Sequence, residues 1–166
     1  LIPLLDYPGE IYALDLSGHG LSDHRPQGTP YHFLDGVIDI GDAVAALGFE
    51  KTILMGHSLG GGILSFLCGM QPEKFPAMVL VEALGPFSSP PPEFPKQFRQ
   101  FLTAREHGKT KEMPHYPSFE RAVEARLTVG GMRRSSVEIL CERGLREVPG
   151  GFTWRSDSRL RLPSPF

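Results

Sequence analysis

Ser58 sits between two glycines in Gly56-His57-Ser58-Leu59-Gly60, after the apolar run Ile53–Met55 and before Gly61, Gly62 and further apolar residues. A serine hydroxyl is a poor nucleophile until a base takes its proton, and that base needs an acid to orient it. The spacing suits this chemistry. A sharp strand-to-helix bend would force Ser58 into a strained conformation and lift its side chain above a sheet. Gly56 and Gly60, two residues to either side, supply the small neighbours such a bend requires. The N–H of Leu59 opens the helix, where backbone donors lack partners and the dipole is positive, so it can hold a developing oxyanion. Gly61 and Gly62 let the helix press against the sheet. The plain alternative is a glycine-rich junction whose serine only caps the helix. Phosphate loops are excluded: no Gly-Lys-Ser/Thr ending follows, and the glycine spacing does not fit G-x-G-x-x-G.

Glu82 is the candidate acid, because it ends the apolar stretch 77–82 and would lie at the carboxyl edge of a sheet beside Ser58. The alternative is a solvated strand-end glutamate or one bonded to loop N–H groups. The base is harder to find. His57 adjoins Ser58 and should point away from it, into packing or loop bracing. His19 and His24 fall in a loop, which His19 ties down, and His32 opens a helix. His107 and His115 follow Glu82 but lie in a helical region with no sheet strand to present them. No histidine of the chain makes a good general base.

The elements that position these groups follow from periodicity. Residues 10–16 (EIYALDL) form a short apolar run that predicts a strand, followed by a Gly/Ser/Asp/Pro-rich loop. Residues 31–47 read as an amphipathic helix: Phe33, Leu34, Val37, Ile38, Ile40, Val44 and Leu47 share a face, opposite Asp35, Asp39 and Asp42, with Gly48 as its C-terminal stop. A strand over 51–57, a helix over 59–70 closed by Pro72, and a strand over 77–82 complete a β-α-β-α-β order. Such an order argues for a parallel sheet with helices on its faces, its strands apolar on both sides. A proline-rich stretch, 86–95, then precedes helical segments near 95–107, 118–129 and 135–144 and a short strand near 152–155. The expected architecture is α/β: a partial core over residues 1–85 and a mostly helical region over 86–166.

Charge supports a boundary near residue 85. Residues 1–85 carry 3 Lys/Arg and 10 Asp/Glu, whereas 86–166 carry 14 and 9. The net charge is -2 and the basic charges are interleaved, as on a solvated helix face, so neither nucleic acid nor membrane is an expected partner. Cys68 and Cys141 form no C-x-x-C pair, which predicts two reduced buried thiols in a cytoplasmic protein with no metal. No signal peptide is expected from the opening residues. Residues 52–70 carry little charge, yet the glycines at 56 and 60–62 each cost a helix about 1 kcal/mol relative to alanine, against a membrane span. No cofactor is expected. Phe87, Phe94, Phe98, Phe101 and Trp154 either line an apolar pocket or pack the helical region.

The stretches YALDLSGHGLSD, LMGHSLGGG and MVLVEALGP, in that order and spacing, resemble α/β-hydrolase fold proteins. LIPLL, GTPYHF and LCERGLREVPGGFTWRSDSRLRLPSP are most similar to serine hydrolase-like proteins and their bacterial relatives. The resemblance implies that Ser58 is the nucleophile, that Leu59 gives one oxyanion N–H, that Glu82 matches one of the family's two acid positions, and that residues 86–166 are a cap. The family's His-Gly oxyanion loop and central strand would precede residue 1 and its catalytic histidine would follow residue 166, so the chain is expected to be an internal fragment, inactive alone. The implied function is hydrolysis of a carboxylic ester or similar acyl bond of a small molecule through an acyl-enzyme. A non-catalytic binder of a ligand or partner is the alternative from another class. A thioesterase, acyltransferase or carbon–carbon hydrolase would share the same fold.

Overall fold

The computed structural model describes residues 2, 5–85, 90–106 and 112–163. Helix α1 (Phe33–Ala46) opens on a capping box: the His32 ring accepts from the Leu34 N–H, and the Asp35 carboxylate accepts from the His32 N–H at 3.1 Å. Gly48 follows its end at φ +70, a left-handed stop that glycine adopts without penalty. Strand β1 (Ile53–His57) runs parallel to β2 (Ala77–Val81), with Ile53 opposite Ala77 and His57 opposite Val81. Between them α2 (Leu59–Met70) crosses over and packs on both strands, and α1 packs on α2. Val37, Val44, Leu54, Ile63, Leu64, Leu67 and Phe75 form the buried core of this unit.

Three expectations are corrected here. Residues 10–16 form no strand, because no neighbouring strand pairs with them among the described residues. Tyr12 instead meets Phe49 edge to face, with ring centroids 5.0 Å apart, and Leu16 packs on the core. Burial on both faces is not found: in β1 Leu54 and Gly56 are covered by α2 while Ile53, Met55 and His57 are exposed, and no residue of β2 is fully buried. Leu34 and Ile38 of α1 are also exposed. They sit one residue past the Phe33–Val37–Ile40–Val44 stripe, about 100° around the helix from the face that packs.

Helix α3 (Phe94–Glu106) follows a single 3-10 turn at Pro91–Glu93. Beyond it, β3 (His115–Tyr116), β5 (Gly151–Trp154) and β4 (Leu145–Val148) form an antiparallel sheet in that order. Helices α4 (Phe119–Leu127) and α5 (Arg134–Gly144) pack against it around Ala122, Val123, Val137, Cys141 and Leu145. The hairpin β4–β5 turns at Pro149-Gly150, with Gly150 at φ +82. Among the described residues no helix is long and apolar enough to cross a membrane.

Candidate active site

Strand pairing carries the chemistry-bearing residues to one place. Because His57 lies opposite Val81, Ser58 and Glu82 each stand one residue past a strand at the same sheet edge, and the Ser58 N–H donates to the Val81 carbonyl at 3.0 Å. Both have left-handed backbones, Ser58 at φ 50 and Glu82 at φ 49, the two non-glycine residues with positive φ among those described. Such a conformation costs a side-chain-bearing residue on the order of 1–3 kcal/mol and persists only where surroundings impose it. At Ser58 the imposition is visible: ψ is -117, its carbonyl accepts from the Gly62 N–H at 3.0 Å, and α2 begins at the next residue.

The Ser58 hydroxyl makes no capping hydrogen bond. The helix-cap alternative is therefore not what this side chain does. Gly56 is required by space: a Cβ there would lie 2.7 Å from Gly60 C and from Gly61 N. A Cβ at Gly61 would meet that of Ala83 at 2.4 Å, which is how the helix comes close to the sheet end. Gly60 differs from expectation, because a Cβ at that position meets nothing within 4 Å. Leu59, the first residue of α2, is exposed, and its N–H belongs to the first turn, where no intrahelical acceptor exists.

The Glu82 carboxylate is turned to His57, whose Nε2 lies 3.4 Å from Glu82 Oε2, both side chains being largely exposed at 84% and 63%. His57 therefore faces solvent and Glu82 instead of packing inside. His19 Nδ1 lies 3.2 Å from the Ser17 carbonyl, within its own loop. His24 Nε2 lies 2.9 Å from the Arg155 carbonyl, and His115 belongs to β3. None of these rings is hydrogen-bonded to Ser58. His107 and Phe87 lie outside the described residues. Phe94 and Phe98 stack at 5.5 Å on α3, Phe101 is buried, and the Trp154 Nε1–H donates to the Tyr116 hydroxyl within the second core. The thiols of Cys68 and Cys141 are unpaired, and burial pushes both pKa values up.

A polar cluster that sequence reasoning passed over joins the loop after Leu16 to the end of the chain. Asp157 accepts from the Tyr31 hydroxyl at 2.8 Å and from Arg159 at 2.6 Å, and its own N–H donates to the Gly18 carbonyl at 2.8 Å. Burial pushes the Asp157 carboxyl up, but the Arg159 side chain and N–H and the Tyr31 hydroxyl outweigh it and hold the group well below the ordinary range. Arg143 of α5 meets Asp15 at 2.7 Å. There too burial raises the carboxyl's pKa, and the Leu21 N–H and Arg143 more than reverse it. The Asp-x-Arg spacing in SDSRL was the available signal, since an aspartate commonly caps the N–H two residues on.

The model of the alpha/beta hydrolase fold family matches residues 3–110, and the chain belongs to that family. A serine hydrolase-like protein of Danio rerio is 32% identical over 167 residues, covering 98% of this chain and 51% of that protein. A hypothetical protein of Pseudomonas aeruginosa, known from its crystal structure, superposes with a TM-score of 0.86 at 39% identity over 92% of this chain and 54% of its own. A thioesterase domain from the curacin biosynthetic pathway superposes at 0.73 with 25% identity, over 91% of this chain and 54% of its own. The chain thus spans about half the length of the relatives it matches.

Proposed function

We propose that the chain carries the nucleophile of a serine hydrolase acting on a carboxylic ester or similar acyl bond of a small molecule. The observation that carries this is the Ser58 backbone at φ 50, ψ -117 between β1 and α2, with a hydroxyl not used to cap the helix. In the reaction the Ser58 Oγ adds to the acyl carbon as its proton passes to a base. The carbonyl oxygen becomes an oxyanion held by the Leu59 N–H, and its collapse expels the alcohol, which takes up the proton from the base. Water then releases the acid from the acyl-serine. Glu82, at the same sheet edge, orients the base. We assign the base and a second oxyanion donor to parts of the longer relatives that this chain does not span, and residues 86–166 to a cap over the site.

Without a base the expected loss is on the order of a millionfold, and a missing oxyanion donor costs roughly another hundredfold. The full-length protein should therefore hydrolyse p-nitrophenyl esters and lose that activity with Ser58→Ala, while the 166-residue chain alone shows none. Turnover by the isolated chain that disappears with Ser58→Ala would overturn the assignment of the base. Unchanged turnover by full-length Ser58→Ala would overturn the nucleophile.

A further inference from the structure

The loop at residues 24–30 forms one wall of a cavity that the site at Ser58 does not use. Its turn closes through the Thr29 N–H donating to the Pro26 carbonyl at 3.1 Å, with Gly28 at φ +83, the conformation a type II turn demands of its third residue. Arg159 fixes this turn from the far end of the chain. Its guanidinium donates to the carbonyls of Arg25, Pro26 and Thr29 at 2.5, 2.7 and 3.0 Å while paired with Asp157. The C-terminal end of α3 and residues 157–162 complete a cavity of about 670 Å³, with Gln27, Thr29, Arg105, Ser158 and Arg159 among its lining.

The charges do not cancel. The lining carboxylate, Asp157, is taken up by Arg159 and the Tyr31 hydroxyl, with the lining His24 Nδ1 3.4 Å from it. Arg25 is matched from behind by Asp39 at 2.9 Å and Asp35 at 3.8 Å, neither of which lines the cavity. Arg105 is left over: it is exposed, and its described bond runs to a neutral carbonyl, that of Gly28, at 3.3 Å. Thr29, Ser158 and Gln27, whose side chains carry neutral donors, also line the cavity. A preformed cavity with one uncompensated guanidinium and several uncharged donors suits an oxyanion, which an arginine fork can meet with two hydrogen bonds. We propose that this cavity binds the carboxylate or phosphate end of a small organic molecule through Arg105.

Arg105 also lies in the last turn of α3, where a cation complements the helix carbonyls, a role that needs no ligand. Binding separates the two. The full-length protein is titrated by NMR with inorganic phosphate and with succinate at constant ionic strength, beside Arg105→Gln and Arg105→Lys. The expected result is saturable shifts at residues 27–29 and 158, weakened about tenfold or more by Arg105→Gln and less by Arg105→Lys. The anion that saturates first identifies the ligand as phosphate- or carboxylate-bearing. Arg105 is exposed, so neither variant disturbs the core. Absence of saturable shifts with either anion, or equal affinity in Arg105→Gln, would overturn the proposal. The readout is independent of ester hydrolysis and leaves the Ser58 assignment standing or falling by itself.

Discussion

Ser58 and Glu82 share a strained backbone and a sheet edge, but they differ in what holds their side chains. The Ser58 hydroxyl is left uncommitted by α2, as a nucleophile must be. The Glu82 carboxylate is paired with His57, at a distance and exposure where an ion pair contributes little. If Glu82 orients the catalytic base, full-length Glu82→Gln should lose about 10⁴-fold in kcat, the scale on which a wrongly oriented histidine fails. His57→Gln should stay within a few-fold. Steady-state kinetics of the two variants check this, and equal losses would move the working role to His57.

At the scale of elements, the bend between β1 and α2 depends on specific atoms rather than on glycine content. Gly56→Ala drives a methyl into the backbone of Gly60 and Gly61 and should destabilise by about 1–3 kcal/mol. Gly60→Ala meets open space inside a helix and should be neutral or stabilising by up to about 1 kcal/mol. Urea denaturation of both variants tests the contrast. The elements around this bend were legible because a strand, a glycine-flanked serine and an apolar helix follow one another without interruption: α2 runs from Leu59 to Met70 as its pattern predicts, and β2 lies within 77–82. Residues 10–16 misled because an apolar run reports burial and β-propensity, while a strand also needs a partner. β3 and β4 escaped notice for the opposite reason. β3 has only two residues, too short for periodicity, and β4 carries Arg146 and Glu147 at its centre, so it lacks the aromatic and β-branched run that marks β5, although Pro149-Gly150 is a visible turn signal between β4 and β5. The pairing of Glu82 with His57 and the Arg105 cavity depend on side-chain directions that one-dimensional spacing does not encode.

Across the whole molecule, two cores are joined by the contacts of residues 15–31 with 143–159. Asp157 is their hub, nearly buried and bonded to Tyr31, Gly18 and Arg159. Its folded-state pKa is depressed, so its contribution to stability is fully present above the ordinary aspartate value of about 4 and is lost as pH falls below that toward the folded value. Thermal unfolding followed from pH 6 downward should show a steep loss below about pH 4. Asp157→Asn, which leaves Arg159 without its charged partner, should cost on the order of 3 kcal/mol at neutral pH and flatten the acid limb. An unchanged acid limb in Asp157→Asn would assign the acid sensitivity to other carboxylates.

The proposed hydrolysis depends on one activated hydroxyl, and covalent labelling reads it directly. A fluorophosphonate probe applied to the full-length protein should modify Ser58, located by peptide mass spectrometry, and Ser58→Ala should abolish the label. An unlabelled Ser58 in a folded full-length protein would contradict the hydrolase assignment and leave a binding protein built on the same fold.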